Sequence, residues 1–156
     1  MISPELLRRY SFFGFLSEKE FNAIAMIAES LSLEKGETLF EADTPAEALY
    51  LVVAGCVEFA YVVNDHNQLG VHKEYFLGEH GPGEIVGISA LIEPRVYTTN
   101  ARVSSASCEL VKIDSSALRA LCEVDTNLAY RLMSEAAKLA LNRLHDTRGL
   151  LAAERA

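Results

Sequence analysis

Apolar residues recur along this chain with two different spacings, and the spacing changes twice. Near the start Phe21, Ile24, Ala28 and Leu31 return every three, four and three positions, which lays one apolar face along a helix. Ser17 followed by Glu20 is a capping-box pair, with Leu16 and Phe21 placed as a hydrophobic staple, so a helix is expected from about Ser17 to Ser30. A shorter helix is expected within Met1 to Tyr10. From Gly36 to Ile113 short strand-like runs take over. Thr38 to Phe40, Leu49 to Val53, Val57 to Val63, Val71 to Leu77, Val96 to Val103 and Glu109 to Ile113 are each bounded by turn residues. Ala54-Gly55-Cys56 has the composition of a hairpin turn, Asn64 to Gly70 that of a polar loop tip, and Gly81-Pro82-Gly83 that of a rigid turn.

After Ile113 the helical spacing returns. Asp114 or Ser115 caps a short helix through Leu118 and Leu121, and Asp125 caps a longer one running from about Thr126 to at least Arg148. On the long helix Tyr130, Met133, Ala137, Ala140, Leu144, Thr147 and Leu151 alternate at spacings of three and four, and Leu128, Leu132 and Leu139 widen the stripe. Such a seam packs on the strands, on a second copy, or on both. The expected architecture is mainly β: an antiparallel sandwich or barrel with an N-terminal helix and a long C-terminal helix. With no repeat and no Pro- or Gly-rich linker, residues 1–156 are expected to form one domain, with a helical lead over 1–31, a barrel over 36–113 and C-terminal helices over 115–150.

Charge and composition narrow the classes. A formal charge of −8 with no basic cluster beyond Arg8-Arg9 disfavours direct nucleic-acid binding, which needs several cations on one face. It does not exclude one small anion, because local dipoles override a distant net field. No apolar run reaches the ~18 residues of a membrane span. The patch Phe12 to Leu16 is too short, and too soon followed by acidic residues, to be a secretion signal. A cytoplasmic protein is expected. Cys56, Cys108 and Cys122 form no C-x-x-C pair; Cys56 and Cys108 fall in strand-like segments and are expected to be small core residues.

The most informative stretch is Gly87 to Ala101, GISALIEPRVYTTNA. It resembles the phosphate-binding cassette of the cyclic-nucleotide-binding domain, whose usual form runs Gly-Glu-aliphatic-Ala-Leu, a short loop, then Arg, small residues and Thr. Gly87, Ala90 and Leu91 match. Further agreement comes from Phe13, Leu16, Gly36-Glu37, Tyr50, Gly55 and Gly83-Glu84, so the resemblance runs from about Phe12 to Arg148; Ala42-Asp43 replaces the usual Gly-Asp. It implies a jelly roll in which a brief helix after Gly87 offers its first amides, around Ser89, Ala90 and Leu91, to an anion. Two departures stand out. Ile88 occupies the place of the acidic residue that accepts from the ribose, and Tyr97 that of the Arg that pairs with the phosphate, although Arg95 lies two positions earlier. Gly87, Ile88, Ser89, Ala90, Leu91, Arg95, Tyr97, Thr98 and Thr99 are therefore the candidate ligand-binding residues.

The expected function is a sensor module that passes a signal through its C-terminal helix as a homodimer, acting on a protein partner. The ligand is a cyclic nucleotide or another small anion. The alternative on the same fold is a ligand-free dimerisation domain. In the family's DNA-binding regulators a helix-turn-helix follows; with no room for one before Ala156, the expectation is a module that acts on a partner or a fragment of a longer protein. No enzyme, metal or cofactor is expected: His66, His72, His80 and His145 form no His-x-His pair, and neither a G-x-S-x-G elbow nor a G-x-x-x-x-G-K phosphate loop is present.

Overall fold

Strands far apart in sequence pair to build two four-stranded antiparallel sheets in a computed structural model that describes residues 1–64 and 72–156. The strands are β1 (Ala28–Glu34), β2 (Thr38–Phe40), β3 (Ala48–Ala54), β4 (Val57–Asn64), β5 (His72–His80), β6 (Ile85–Val86), β7 (Asn100–Val103) and β8 (Ser107–Asp114). One sheet has the order β1-β8-β3-β6 and the other β2-β7-β4-β5. Around them lie α1 (Pro4–Leu7), α2 (Glu18–Met26), α3 (Ser115–Val124) and α4 (Thr126–Arg155), with 3-10 turns at Ser11–Phe13 and Ile88–Leu91. The jelly roll with flanking helices and a long C-terminal helix is the architecture the sequence led us to expect.

Several boundaries differ from that expectation. The capping box at Ser17 forms as read, with both reciprocal bonds made. The helix, however, stops at Met26, and Ala28–Glu34 is a strand that pairs along its whole length with β8, from Ala28 opposite Ile113 to Glu34 opposite Ser107. Ala28 and Leu31 therefore do not continue the helical face. Val96 to Val103 is a strand only from Asn100; Val96 makes an isolated bridge to Pro45. Ile85–Val86 adds a short strand not expected from the sequence. Cys56 sits half-buried in the turn after β3 rather than in a strand, while Cys108 is buried in β8. The polar tip and the start of the following strand, Asp65 to Val71, lie outside the described residues.

The hairpin turn between β3 and β4 shows why its residue is glycine. Gly55 has φ of 83°, and a Cβ there would come within 2.3 Å of the Ser107 carbonyl oxygen. Between the sheets an aromatic cluster fills the centre: Phe40 stacks on Tyr97 with centroids 3.9 Å apart and touches Tyr50 and Phe59 at 6.3 and 6.0 Å. The N-terminal segment is tied down by Tyr10, whose hydroxyl donates to the Val52 carbonyl at 2.6 Å. Asp114 and Asp125 cap α3 and α4 through Ala117 and Leu128 amides. Leu128, Leu132 and Ala136 seat the first turns of α4 in the core, each full leucine burial contributing about 1.5–3 kcal/mol. At ~1.5 Å per residue α4 extends for about 45 Å. Among the described residues no helix is long and apolar enough to cross a membrane.

Candidate functional site

The short turn Ile88–Leu91 begins where Gly87 takes a left-handed conformation, φ 86°. A side chain there would meet the Ala48 carbonyl at 3.2 Å and the Tyr97 ring at 3.4 Å, so glycine suits both the backbone and the space. The amide of Ala90 is used by Gly87 and that of Ile92 by Ser89. Among the described residues the amides of Ile88 and Ser89 have no backbone acceptor. They are the leading donors of the turn. Arg119 of α3 donates to the Ala90 carbonyl at 3.1 Å, bracing the far end of the turn.

Beside this turn lies a cavity of about 870 Å³. Gly87, Ile88, Ser89, Tyr97, Thr98 and Thr99 of the sequence-expected set line it; Ala90 and Leu91 are packed into the core behind. Ile88 and Tyr97 form wall without filling the space. Tyr97 is 5 % exposed, and its hydroxyl donates to the Ala48 carbonyl at 2.5 Å while accepting the Ala48 amide at 3.3 Å. Burial pushes its pKa well above the ordinary value, so the phenol stays protonated. Its polar atom is spent on β3.

Arg95 is not brought to this cavity. Its φ of 59° and its amide bond to the Ile92 carbonyl at 2.7 Å turn it to a separate hollow, where it lies with Glu47, Asp114 and Arg119. Its side chain reaches Glu93, which lines the first cavity, at 3.8 Å.

The rest of the lining includes residues of β4, β5 and α4. The Phe59 and His80 rings meet at a tilt of 49° with centroids 4.3 Å apart, and His80 Nδ1 pairs with Glu84 Oε1 at 3.1 Å. The Gly81 amide donates to the other Glu84 oxygen at 2.5 Å. From α4 come Ala140, Arg143, Asp146, Thr147 and Leu150. Arg143 donates to the Ile85 carbonyl and lies 5.5 Å from the Phe59 ring centre. Its only sequence signal was a cation beside the apolar stripe, which by itself does not say that the helix passes the cassette. Among the described residues no group of three or more His, Cys, Asp or Glu side chains is arranged to hold a metal.

Known proteins place the fold. Residues 30–125 match the family model of the cyclic nucleotide-binding domain. A Geobacter metallireducens protein assigned to cyclic nucleotide binding superposes with a TM-score of 0.79 at 34 % identity, covering 93 % of this chain and 100 % of its own. A cyclic nucleotide-binding domain from Methylobacillus flagellatus, 15 % identical, superposes with a TM-score of 0.77 over 96 % of this chain and 80 % of its own. In sequence, the transcriptional regulatory protein btr of Bordetella pertussis is 34 % identical over 88 residues, which is 56 % of this chain and 34 % of that regulator. The chain thus spans about a third of the length of that relative. With more than half of its residues matched by the family model and a near-complete structural relative, the chain belongs to the cyclic nucleotide-binding domain family.

Proposed function

We propose that this chain is a sensing module that takes a small anionic ligand in the cavity beside Ser89 and reports its presence through α4. One observation carries this: the same cavity is walled by the cassette turn on one side and by Arg143, Thr147 and Leu150 of α4 on the other. An occupant touches both, so it can bias how the helix lies on the jelly roll; a ligand shifts an equilibrium only through such differential contacts. The donors on the cassette side are the Ile88 and Ser89 amides, with Ala90 and Leu91 holding the turn against the core.

Cyclic AMP is a poor fit. The ribose-accepting carboxylate is replaced by Ile88, and the phosphate-pairing position holds Tyr97 with its hydroxyl already engaged. Each charged hydrogen bond is worth about 1.5–3 kcal/mol. Losing both costs about 3–6 kcal/mol and moves a micromolar ligand to about 0.1 mM or weaker, at ~1.4 kcal/mol per tenfold. Calorimetric titration with cyclic AMP, cyclic GMP and unrelated small anions tests this; a low-micromolar constant for cyclic AMP contradicts it.

The module acts as a homodimer through the outer face of α4, in the cytoplasm, on a protein partner rather than on nucleic acid. Leu144 and Leu151 of the seam remain 45 % and 49 % exposed although the buried face of α4 is fully seated. Three free cysteines agree with a reducing compartment, and the charge of −8 disfavours gripping a phosphate backbone. A ligand-free dimerisation domain is the second reading, favoured by the sealing of Tyr97 into β3. Calorimetry in which every small anion fails to bind decides for it.

A further inference from the structure

The cavity has a cation, and it comes from α4. A guanidinium carries five N–H donors. Among the described residues Arg143 spends them on one acceptor, the neutral Ile85 carbonyl, and no carboxylate is paired with it. Glu84 is the acidic group whose charge it feels, but both Glu84 oxygens are engaged, one by His80 and one by the Gly81 amide. Burial pulls the Arg143 pKa below its usual value, with Glu84 pushing back, yet a guanidinium stays charged at any ordinary pH. A partly buried charge given one neutral partner is left incompletely compensated, and a bound anion would complete it. Phe59, which lines the cavity beside it, offers apolar surface to the rest of the same molecule.

We propose that Arg143 is the anion anchor of this cavity, binding the single phosphate or carboxylate of a small ligand whose apolar part rests on Phe59. The anchor rests on the sensing function proposed above and changes its wiring. The cassette position that would hold the pairing cation is closed by Tyr97, so the cation is carried by the output helix. Ligand charge then pulls directly on α4, and the guanidinium keeps its bond to β6 while its remaining donors take the anion. The acidic residues on the rim, Glu79, Glu93 and Asp146, disfavour a ligand with charge spread along its length.

The test is calorimetry and thermal melting with three probes: cyclic AMP, benzoate and inorganic phosphate. These separate a nucleotide phosphate, an aryl carboxylate and a bare anion. At least one probe is expected to bind the wild-type chain. R143Q should weaken that probe at least tenfold, R143K should keep part of the affinity, and R95Q should weaken it far less than R143Q, because Arg95 lines the other hollow and meets this cavity only through Glu93. Equal affinity in wild type and R143Q overturns the anchor and leaves the sensing function standing; no binding of any probe to wild type overturns both. Should R143Q fail to fold, the Arg143 side-chain Nε–H resonance in wild type provides the readout. The anchor requires it to shift when the bound probe is added, whereas a helix strut alone leaves it in place.

Discussion

At the scale of single residues, Tyr97 is where the sequence and the structure inform one another most. Its misfit to the family's cassette was legible from position alone, because the count from Gly87 is fixed. What it does instead was not legible, since Ala48 lies 49 positions away and only the folded chain brings it near. The phenol bridges both backbone groups of Ala48 and stacks on Phe40, which makes it a structural bolt between the cassette loop and β3. Tyr97→Phe keeps the ring and orphans the Ala48 carbonyl, so it is expected to cost about 1–3 kcal/mol in chemical denaturation. Its pH dependence identifies the cause. An unfolded tyrosine ionises near pH 10, while burial holds the folded Tyr97 protonated above that. Stability present below about pH 10 is therefore lost as pH rises beyond it, because the unfolded state gives up its proton first. Tyr97→Phe should flatten that alkaline decline. Burial raises Tyr10 and Tyr50 as well, so part of the slope should remain.

At the scale of elements, the sequence marked where helices begin better than where they end. Ser17 and Asp125 cap as expected, and of Asp114 and Ser115 it is Asp114 that caps α3, because a cap is a local contact made within three residues. The end of α2 falls at Met26, short of the expected Ser30. Ala28-Glu-Ser-Leu-Ser-Leu-Glu carries Leu31 and Leu33 at strand spacing, yet Ala28 and Leu31 also fit the preceding helical repeat, and no Gly or Pro marks the change. The choice is made by β8, an exposed-to-buried alternating strand that supplies seven paired positions to this segment. A partner so distant leaves no local trace. In α4 the reverse happened: the stripe was visible, but it divides between two duties. Leu132 is buried and Leu144 is half-exposed. Leu132→Ala should therefore cost about 2–5 kcal/mol. Leu144→Glu should leave protomer stability within ~0.5 kcal/mol, as expected of surface changes, while abolishing association in sedimentation. Equal thermal midpoint losses for the two variants would show that α4 has no free face.

At the scale of the whole molecule, charge and the seam of α4 pull in opposite directions, and their competition is measurable. Each chain carries a formal charge of −8, so two copies brought side by side repel. The residues proposed to hold them together, Met133, Ala137, Leu144 and Leu151 among them, are apolar and gain nothing from low ionic strength. The Debye length falls from about 30 Å at 0.01 M salt to about 8 Å at 0.15 M. Screening therefore weakens the repulsion between the jelly rolls and leaves burial of the seam unaffected. Raising salt over that range should tighten the dimer in sedimentation equilibrium, by severalfold in association constant. A dimer held by ion pairs between copies would loosen instead, and a salt-independent monomer would remove the seam from the mechanism. The same titration bears on the cavity. Thr147 belongs both to the seam and to the cavity wall, so a second copy packed on α4 would stand beside the site. An anion held by Arg143 should then bind more tightly under conditions that favour the dimer, and the dimer should in turn be favoured by the anion, since linkage between two binding events is reciprocal.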